Sequence, residues 1–294
     1  MKLENPQQWK GVWTALITPF TPDGKLDTPS LEKLIAQQIK QNVTGLVIAG
    51  STGEGSLLSS ETYTALLTQA VNIAKGSIPI VAGLGIGGTA ECLERAKLAK
   101  KVGASALLAS PPAYIKTPAR GLVTHYKKIA ELGLPLCLYD VPSRSAVGLP
   151  DEVIDELIKS DVAHLIHAIK DATGKPERIK HKAEWKSQLA VLSGDDESFP
   201  AFVQEGGHGI ISVATHFALK DFISVLNKEA AATERFEKIT SFIKALYWES
   251  NPIPVKSLAH RLGWIAHSAF QAPLCPMKKE LLEDLYELYR KNFN

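Results

Sequence analysis

The chain has 294 residues, 45% hydrophobic and 22% charged, a globular balance that excludes disordered, collagen-like and low-complexity classes. Lysine plus arginine (33) against aspartate plus glutamate (31) leaves a net charge of +2, so the concentrated basic face of a nucleic-acid or membrane-surface binder is not expected. The N-terminal MKLENPQQWKGVW has no apolar signal region, and Cys92, Cys137 and Cys275 lie far apart without disulfide or metal spacing, so a soluble cytoplasmic protein is expected.

Eight short apolar runs follow in chain order: 12–18 (VWTALIT), 45–50 (GLVIAG), 78–85 (IPIVAGLG), 104–110 (ASALLAS), 134–140 (LPLCLYD), 164–170 (HLIHAIK), 189–194 (LAVLSG) and 209–214 (GIISVA). They are near-continuous rather than alternating, the pattern of parallel strands buried on both faces. Amphipathic helical patterns separate them. Leu31, Leu34, Ile35 and Ile39 keep the 3.6-residue period, as do Leu122, Tyr126, Ile129 and Ala130, and then Val153, Ile154, Leu157 and Ile158. Pro150 and Asp151 suit a helix start, and Gly76, Gly103 and Gly133 suit helix ends. Beyond the eighth run, 222–230, 234–248, 254–262 and 278–289 read as helices with no further strand. The alternation predicts an α/β chain: a (β/α)₈ TIM barrel over residues 1–230 with a C-terminal helical domain over 231–294, a doubly wound open sheet being the rival.

In such a barrel, chemistry gathers where strands end. The polar residues at those addresses are Thr18; Ser51, Thr52 and Glu54; Tyr114; Tyr139, Asp140 and Arg144; Lys170 and Asp171; Asp195 and Asp196. Lys170 closes an apolar strand, and burying an ammonium is costly; a neutral amine there could attack a carbonyl to form a Schiff base, unless the side chain snorkels to solvent. Tyr139 could relay protons or be a core-edge tyrosine, and Arg144, after Pro142 in a stiff turn, could clamp a carboxylate or lie on the surface. GSTGEG (50–55) offers hydroxyls and backbone amides to a small anion, or simply caps the next helix. GLGIGG (83–88) fits G-x-G-x-x-G, but the following run ASALLASPP lacks the acidic residue that a dinucleotide site needs, so it reads as a glycine-rich loop. The eight histidines form no HExxH or similar cluster, and His164 and His167, three apart on the sixth run, are expected on opposite strand faces. No metal and no cofactor are expected, which favours a lysine-based aldolase over a metal-dependent one.

GVWTALITPFTPDGKLD, GSTGEGS, SPPAYIKTPARGL, YDVPSRS, IKDATG, LSGDDESFPAFVQEGGHGIISV and NPIPVKSLAHRLG run almost end to end. Together they resemble the dihydrodipicolinate synthase branch of the pyruvate-dependent class I aldolase family, which also contains N-acetylneuraminate lyase. The resemblance implies a lysine Schiff base at Lys170, with Tyr139, Thr52 and Tyr114 as a proton relay. It implies Ser51 and Thr52 at the pyruvate carboxylate, Gly194 and Ile211 lining that pocket, and Arg144 at the carboxylate of L-aspartate 4-semialdehyde. Condensation of pyruvate with that semialdehyde to 4-hydroxy-tetrahydrodipicolinate, in lysine and diaminopimelate synthesis, is the implied reaction. A homotetramer of tight dimers is implied as well, Tyr114 completing the neighbouring site. Cleavage of N-acetylneuraminate or a 2-keto-3-deoxy acid is the alternative, and a non-catalytic keto-acid-binding barrel a more distant one; an arginine at 144 argues for a carboxylated aldehyde over a neutral sugar.

Three positions depart from the family pattern: Ser51 for a threonine, Asp140 for an asparagine, which puts a negative charge beside Tyr139, and Ala113 for a tyrosine. At the positions that carry lysine inhibition in other members stand Ser60, Tyr63 and Gly87, with Glu91 retained, so lysine inhibition is expected to be weak or absent.

Overall fold

A computed structural model describes residues 1–85 and 87–293. Eight parallel strands close into a barrel in sequence order: β1 Gly11–Ala15, β2 Gly45–Ile48, β3 Ile80–Gly83, β4 Ala106–Ala109, β5 Leu136–Asp140, β6 Ile166–Asp171, β7 Ala190–Ser193 and β8 Gly209–Ser212. Each falls inside or against one of the eight apolar runs. β8 closes on β1 with Gly11 opposite Gly209 and Trp13 opposite Ile211. The open-sheet rival is thereby excluded.

Around the barrel lie α1 Thr28–Lys40, α2 Ser60–Ala74, α3 Thr89–Val102, α4 Ala119–Ala130, α5 Asp151–Leu157, α6 Ala183–Gln188, α7 Phe199–Gln204 and α8 Thr215–Leu226. Three further helices follow, α9 Ala232–Ala245, α10 Ile253–Arg261 and α11 Lys279–Phe293. α8 begins at Thr215, seven residues before the sequence pattern suggests, because its first turns are buried on nearly every side and show no amphipathic period. α5 starts at Asp151 behind Pro150, and α3 ends on Gly103 in the left-handed region. Between barrel and helices runs a continuous apolar layer that includes Leu46, Ile48, Leu66, Leu107, Ile169 and Phe222.

The barrel interior is a packed column, with Trp9, Trp13, Val47, Val81, Leu108, Cys137, Leu192 and Ile211 stacked inside. Trp9 and Trp13, their rings 5.2 Å apart, fill its lower end, and Gly45 makes room, since a Cβ there would fall 2.2 Å from the Trp13 ring. Filling the bottom leaves the upper end, where the strands finish, as the open side.

Two expectations need correction. His164 lies in a 3₁₀ turn (Ala163–Leu165) before β6, so the two histidines do not occupy opposite faces of one strand; the His167 ring instead meets the His164 carbonyl at 3.1 Å. Asp140 does not place its charge beside Tyr139. Strand alternation turns it outward, where its carboxylate pairs with Arg178.

Candidate active site

The site starts from the register of two strands. Tyr139 on β5 stands opposite Lys170 on β6, and Asp140 opposite Asp171. Alternation sends Tyr139 and Lys170 into the barrel mouth and both aspartates out behind them. Lys170 is 6% exposed, with Nζ 4.4 Å from the centre of the Tyr139 ring. Among the described residues it has no carboxylate within ion-pair distance, which is uncommon for a buried lysine.

Above them opens a cavity of about 880 Å³ that brings together Ser51, Thr52, Tyr139, Arg144, Lys170 and Gly194. Gly194 follows β7 against the lysine stem: a Cβ there would lie 2.7 Å from Lys170 Cε and 2.7 Å from Ala172 Cβ. Arg144 stands exposed at the mouth, its Nη2 donating to the Asn251 carbonyl at 3.0 Å. The Thr52 hydroxyl accepts from Asn251 Nδ2 at 3.0 Å, so among the described residues its recorded partner is this amide rather than Tyr139.

Two assigned residues stand apart. Ile211 lies within the packed barrel column, and Val213, two residues later and beyond the end of β8, lines the cavity. Tyr114 is 99% exposed with a φ of 66°, and it does not reach the cavity of its own chain.

Other strand-end residues hold the walls. Thr18 Oγ1 donates to the Gly53 carbonyl at 2.8 Å, tying the end of the first run to the GSTGEG loop. Asp195 lines the cavity while its carboxylate accepts the Ser198 N–H at 2.9 Å. Asp196 is buried and accepts the Ala214 N–H at 2.9 Å and the Tyr247 hydroxyl at 2.8 Å. Burial pushes the Asp196 carboxyl above its ordinary range, against the pull of those donors, and burial together with Asp196 pushes the Tyr247 phenol well up. The Tyr247 hydroxyl is thus a fixed donor to Asp196. Glu54, at a left-handed φ of 57°, reaches out of the loop to Lys256 Nζ at 2.6 Å and accepts the Gln271 N–H at 2.7 Å. Burial pushes the Glu54 carboxyl up and pulls Lys256 down to about 8, each partner resisting the shift of the other.

Tyr247, Glu249 and Asn251 enter the cavity from the segment between α9 and α10, a contribution not drawn from the sequence. The usable signal was NPIPVKS, which begins at Asn251 and includes Lys256. Arg178, which binds the carboxylates behind the site, follows IKDATG by four residues and carried no motif of its own. No three histidine, cysteine, aspartate or glutamate side chains are grouped for a metal among the described residues. The geometry therefore offers an amine, a phenol, two hydroxyls and a guanidinium facing one cavity.

The dihydrodipicolinate synthetase family model matches residues 8–291. The chain is 37% identical over 279 residues to a 4-hydroxy-tetrahydrodipicolinate synthase of Shewanella piezotolerans, covering 92% of this chain and 94% of that one. It is 40% identical over 273 residues to the enzyme of the same name from Rickettsia typhi, covering 90% and 91%. The crystal structure of the chloride-inhibited dihydrodipicolinate synthase from Acinetobacter baumannii, complexed with pyruvate, superposes with a TM-score of 0.90 at 37% identity, covering 96% of this chain and 98% of that one.

Proposed function

The chain belongs to the dihydrodipicolinate synthetase family, and from that premise we propose that it condenses pyruvate with L-aspartate 4-semialdehyde to give 4-hydroxy-tetrahydrodipicolinate. The observation that carries the reading is Lys170, a buried amine without a carboxylate partner among the described residues, at the floor of a cavity with Arg144 at its mouth.

In this reading the neutral Lys170 amine adds to the C2 carbonyl of pyruvate, and the carbinolamine hydroxyl takes a proton from the Tyr139 phenol and leaves as water, giving a protonated imine beside a phenolate. The imine draws electrons from C3, whose methyl group gives up a proton to the Tyr139 phenolate formed in that step, leaving an enamine and restoring the phenol. C3 of the enamine attacks the aldehyde carbon of the semialdehyde, and the new alkoxide takes a proton from the relay. The amino group of the product then attacks C2, closing the ring and expelling the Lys170 amine. Ser51 and Thr52 hold the pyruvate carboxylate, Gly194 leaves room for the lysine stem, and Ile211 supports the floor from below. Arg144 exchanges its contact with the Asn251 carbonyl for the semialdehyde carboxylate, a charge-assisted partner that it can engage bidentately.

Tyr114 belongs to the same reading as the third relay member, supplied to the site of a neighbouring subunit in a homotetramer built as a dimer of dimers. Its full exposure beside the half-exposed Ile115 supports an outward role. The division into a catalytic barrel over 1–230 and a helical domain over 231–294 is supported by the break between α8 and α9. A cytoplasmic location is supported by three free cysteines, two of them buried.

Incubation with pyruvate and borohydride, followed by peptide mass spectrometry, tests the core of this. The expected result is one reduced pyruvate adduct on Lys170, and its absence defeats the reading. Competition between aspartate semialdehyde and N-acetylneuraminate then decides the partner, turnover of the semialdehyde being expected.

A further inference from the structure

Behind the amine and the phenol lies a second cluster that the reaction as written does not use. Arg178 stands on a 3₁₀ turn (Pro176–Ile179) after β6. Its Nη1 contacts Asp140 Oδ2 and, at 3.1 Å, Asp171 Oδ2. Its Nε donates to Asp151 Oδ1 at 2.9 Å and its Nη2 to the Leu149 carbonyl at 2.8 Å. The remaining oxygens of the two strand-end aspartates are held locally: Asp140 Oδ1 accepts the Leu149 N–H at 2.8 Å, and Asp171 Oδ1 accepts the Thr173 N–H at 2.9 Å. Both aspartates are buried. The ladder continues through their backbones, Ala172 N–H donating to the Asp140 carbonyl at 2.9 Å and Gly194 N–H to the Asp171 carbonyl at 2.6 Å.

We propose that Arg178 is a positioning residue for imine formation: it ties the ends of β5 and β6 together directly behind Tyr139 and Lys170 and offsets the negative charge buried there. The inference rests on the assignment of Lys170 as the imine-forming amine. Asp140 and Tyr139 are consecutive, as are Asp171 and Lys170, so one guanidinium sets the relative placement of the two inward side chains through two adjacent residues. A lysine could not do the same: one ammonium could meet Asp140 and Asp171, as Nη1 does, but could not also hold Asp151 and the Leu149 carbonyl, which the rest of the planar fork reaches. The cluster also sets a field. Asp140, Asp151 and Asp171 stand against Arg178 and Lys182, the latter 2.8 Å from Asp151, a balance of three anions to two cations. Loss of Arg178 leaves three anions to one cation and favours the ammonium form of Lys170; loss of the Asp140 charge does the reverse. The other groups facing Lys170 are Cys137 and Tyr139 from β5, Arg144 and Asp195 from the following loops, and Tyr247 and Glu249 from the segment after α9. None of these contacts Arg178.

The test is the rate of pyruvate trapping by cyanoborohydride as a function of pH in the full-length protein, Arg178→Met, Asp140→Asn and the double variant. Arg178→Met is expected to move the pH midpoint up by about one unit and to slow trapping near neutrality by about tenfold. Asp140→Asn is expected to move the midpoint down, and the double variant, which restores the original charge balance, to return it most of the way. A midpoint unmoved in Arg178→Met, with only fewer trappable sites, would mean that Arg178 merely supports the fold and would overturn the proposal. If Arg178→Met does not fold, Asp140→Asn decides alone, a downward shift supporting the proposal and an unmoved midpoint defeating it. Failure of the unaltered protein to form any adduct at Lys170 would instead defeat the assignment of the amine.

Discussion

Two lysines are buried at the top of this molecule, and they are opposites. Lys256 on α10 is sealed: its ammonium lies 2.6 Å from Glu54 and between the rings of Phe20 and Phe270, at 4.3 and 4.6 Å. Lys170 on β6 is nearly as buried, yet it has an open cavity above it and a phenol ring beside it in place of a carboxylate. Burial alone therefore does not make a lysine chemical. What separates the two is whether an anion answers the charge and whether a small molecule can reach it. Exchanging each for methionine breaks the comparison most directly. Lys256→Met leaves Glu54 as an uncompensated buried charge and should cost about 3–5 kcal/mol, read from urea unfolding midpoints, with Glu54→Leu in the same chain recovering much of it. Lys170→Met should cost less than about 1 kcal/mol, since no partner is stranded, while pyruvate trapping falls to background. If instead Lys170→Met unfolds the protein and Lys256→Met does not, the two roles have been assigned the wrong way round.

The contrast sharpens at Gly194. The Lys170 stem runs where any side chain at 194 would stand, with the clash falling on a flexible methylene and on Ala172. Gly194→Ala should therefore move the amine more than it disturbs the barrel: about 1–3 kcal/mol of stability, but a larger loss in the rate of pyruvate trapping, by about 10–100-fold. Equal proportional loss in trapping and in the folded fraction would mean that the glycine serves packing only.

A third buried base shows how a site is kept neutral without an anion. His216 on α8 accepts the Ile17 N–H at Nε2 (3.2 Å) and faces the Val213 carbonyl through Nδ1 (2.8 Å), and burial holds it down to about 4. The His125 ring, 2.9 Å from the Thr89 hydroxyl, is likewise held down to about 4 by burial. Unfolded histidines titrate near 6.5, so below that pH the unfolded chain takes up protons that the folded chain refuses. The stabilisation from neutral burial is complete above 6.5 and is lost as the pH falls toward 4, by about 2 kcal/mol per histidine at pH 5. Urea midpoints at pH 7 and pH 5 should show the loss, and His216→Asn should flatten it; an unchanged slope would place the acid sensitivity elsewhere.

The barrel was legible because eight βα units repeat one pattern, and each apolar run located its strand without help from the others. Lys170 and Tyr139 were legible because they stand where strands end, a position that already suggests use, whereas Gly194 was indicated only by the family resemblance. Asn251 and Tyr247 were not, because they lie between helices that the strand count does not address, and only the fold brings them over the mouth. Arg178 was hidden for a different reason. Its importance comes from two aspartates on neighbouring strands meeting behind the site, a coincidence of register that no local spacing encodes. Asp140 misled for the same reason: a charge next to Tyr139 in sequence points the other way in a strand.

The smallest expected effect concerns another buried cation, Arg95 on α3. It donates to the Gly55 carbonyl at 2.6 Å and the Leu58 carbonyl at 3.2 Å, lies 3.4 Å from Glu91, and sits 5.1 Å above the ring of Tyr63. Of the positions that the family resemblance associates with lysine inhibition, Tyr63 is thus sealed in the core and Glu91 is already paired. A Cβ at Gly87 would meet the end of the Glu91 side chain, so a larger residue there would have to displace that carboxylate. A free lysine approaching Glu91 meets the Arg95 guanidinium, a like charge that is fixed in place by two carbonyls. Affinity for lysine should then be weaker than about 1 mM, and steady-state rates should be almost unchanged at that concentration. Arg95→Met should leave Glu91 without its partner and make the protein more sensitive to lysine than the unaltered chain. Inhibition that is strong in the unaltered protein and lost in Arg95→Met would mean that the guanidinium helps to build a lysine site rather than to block one.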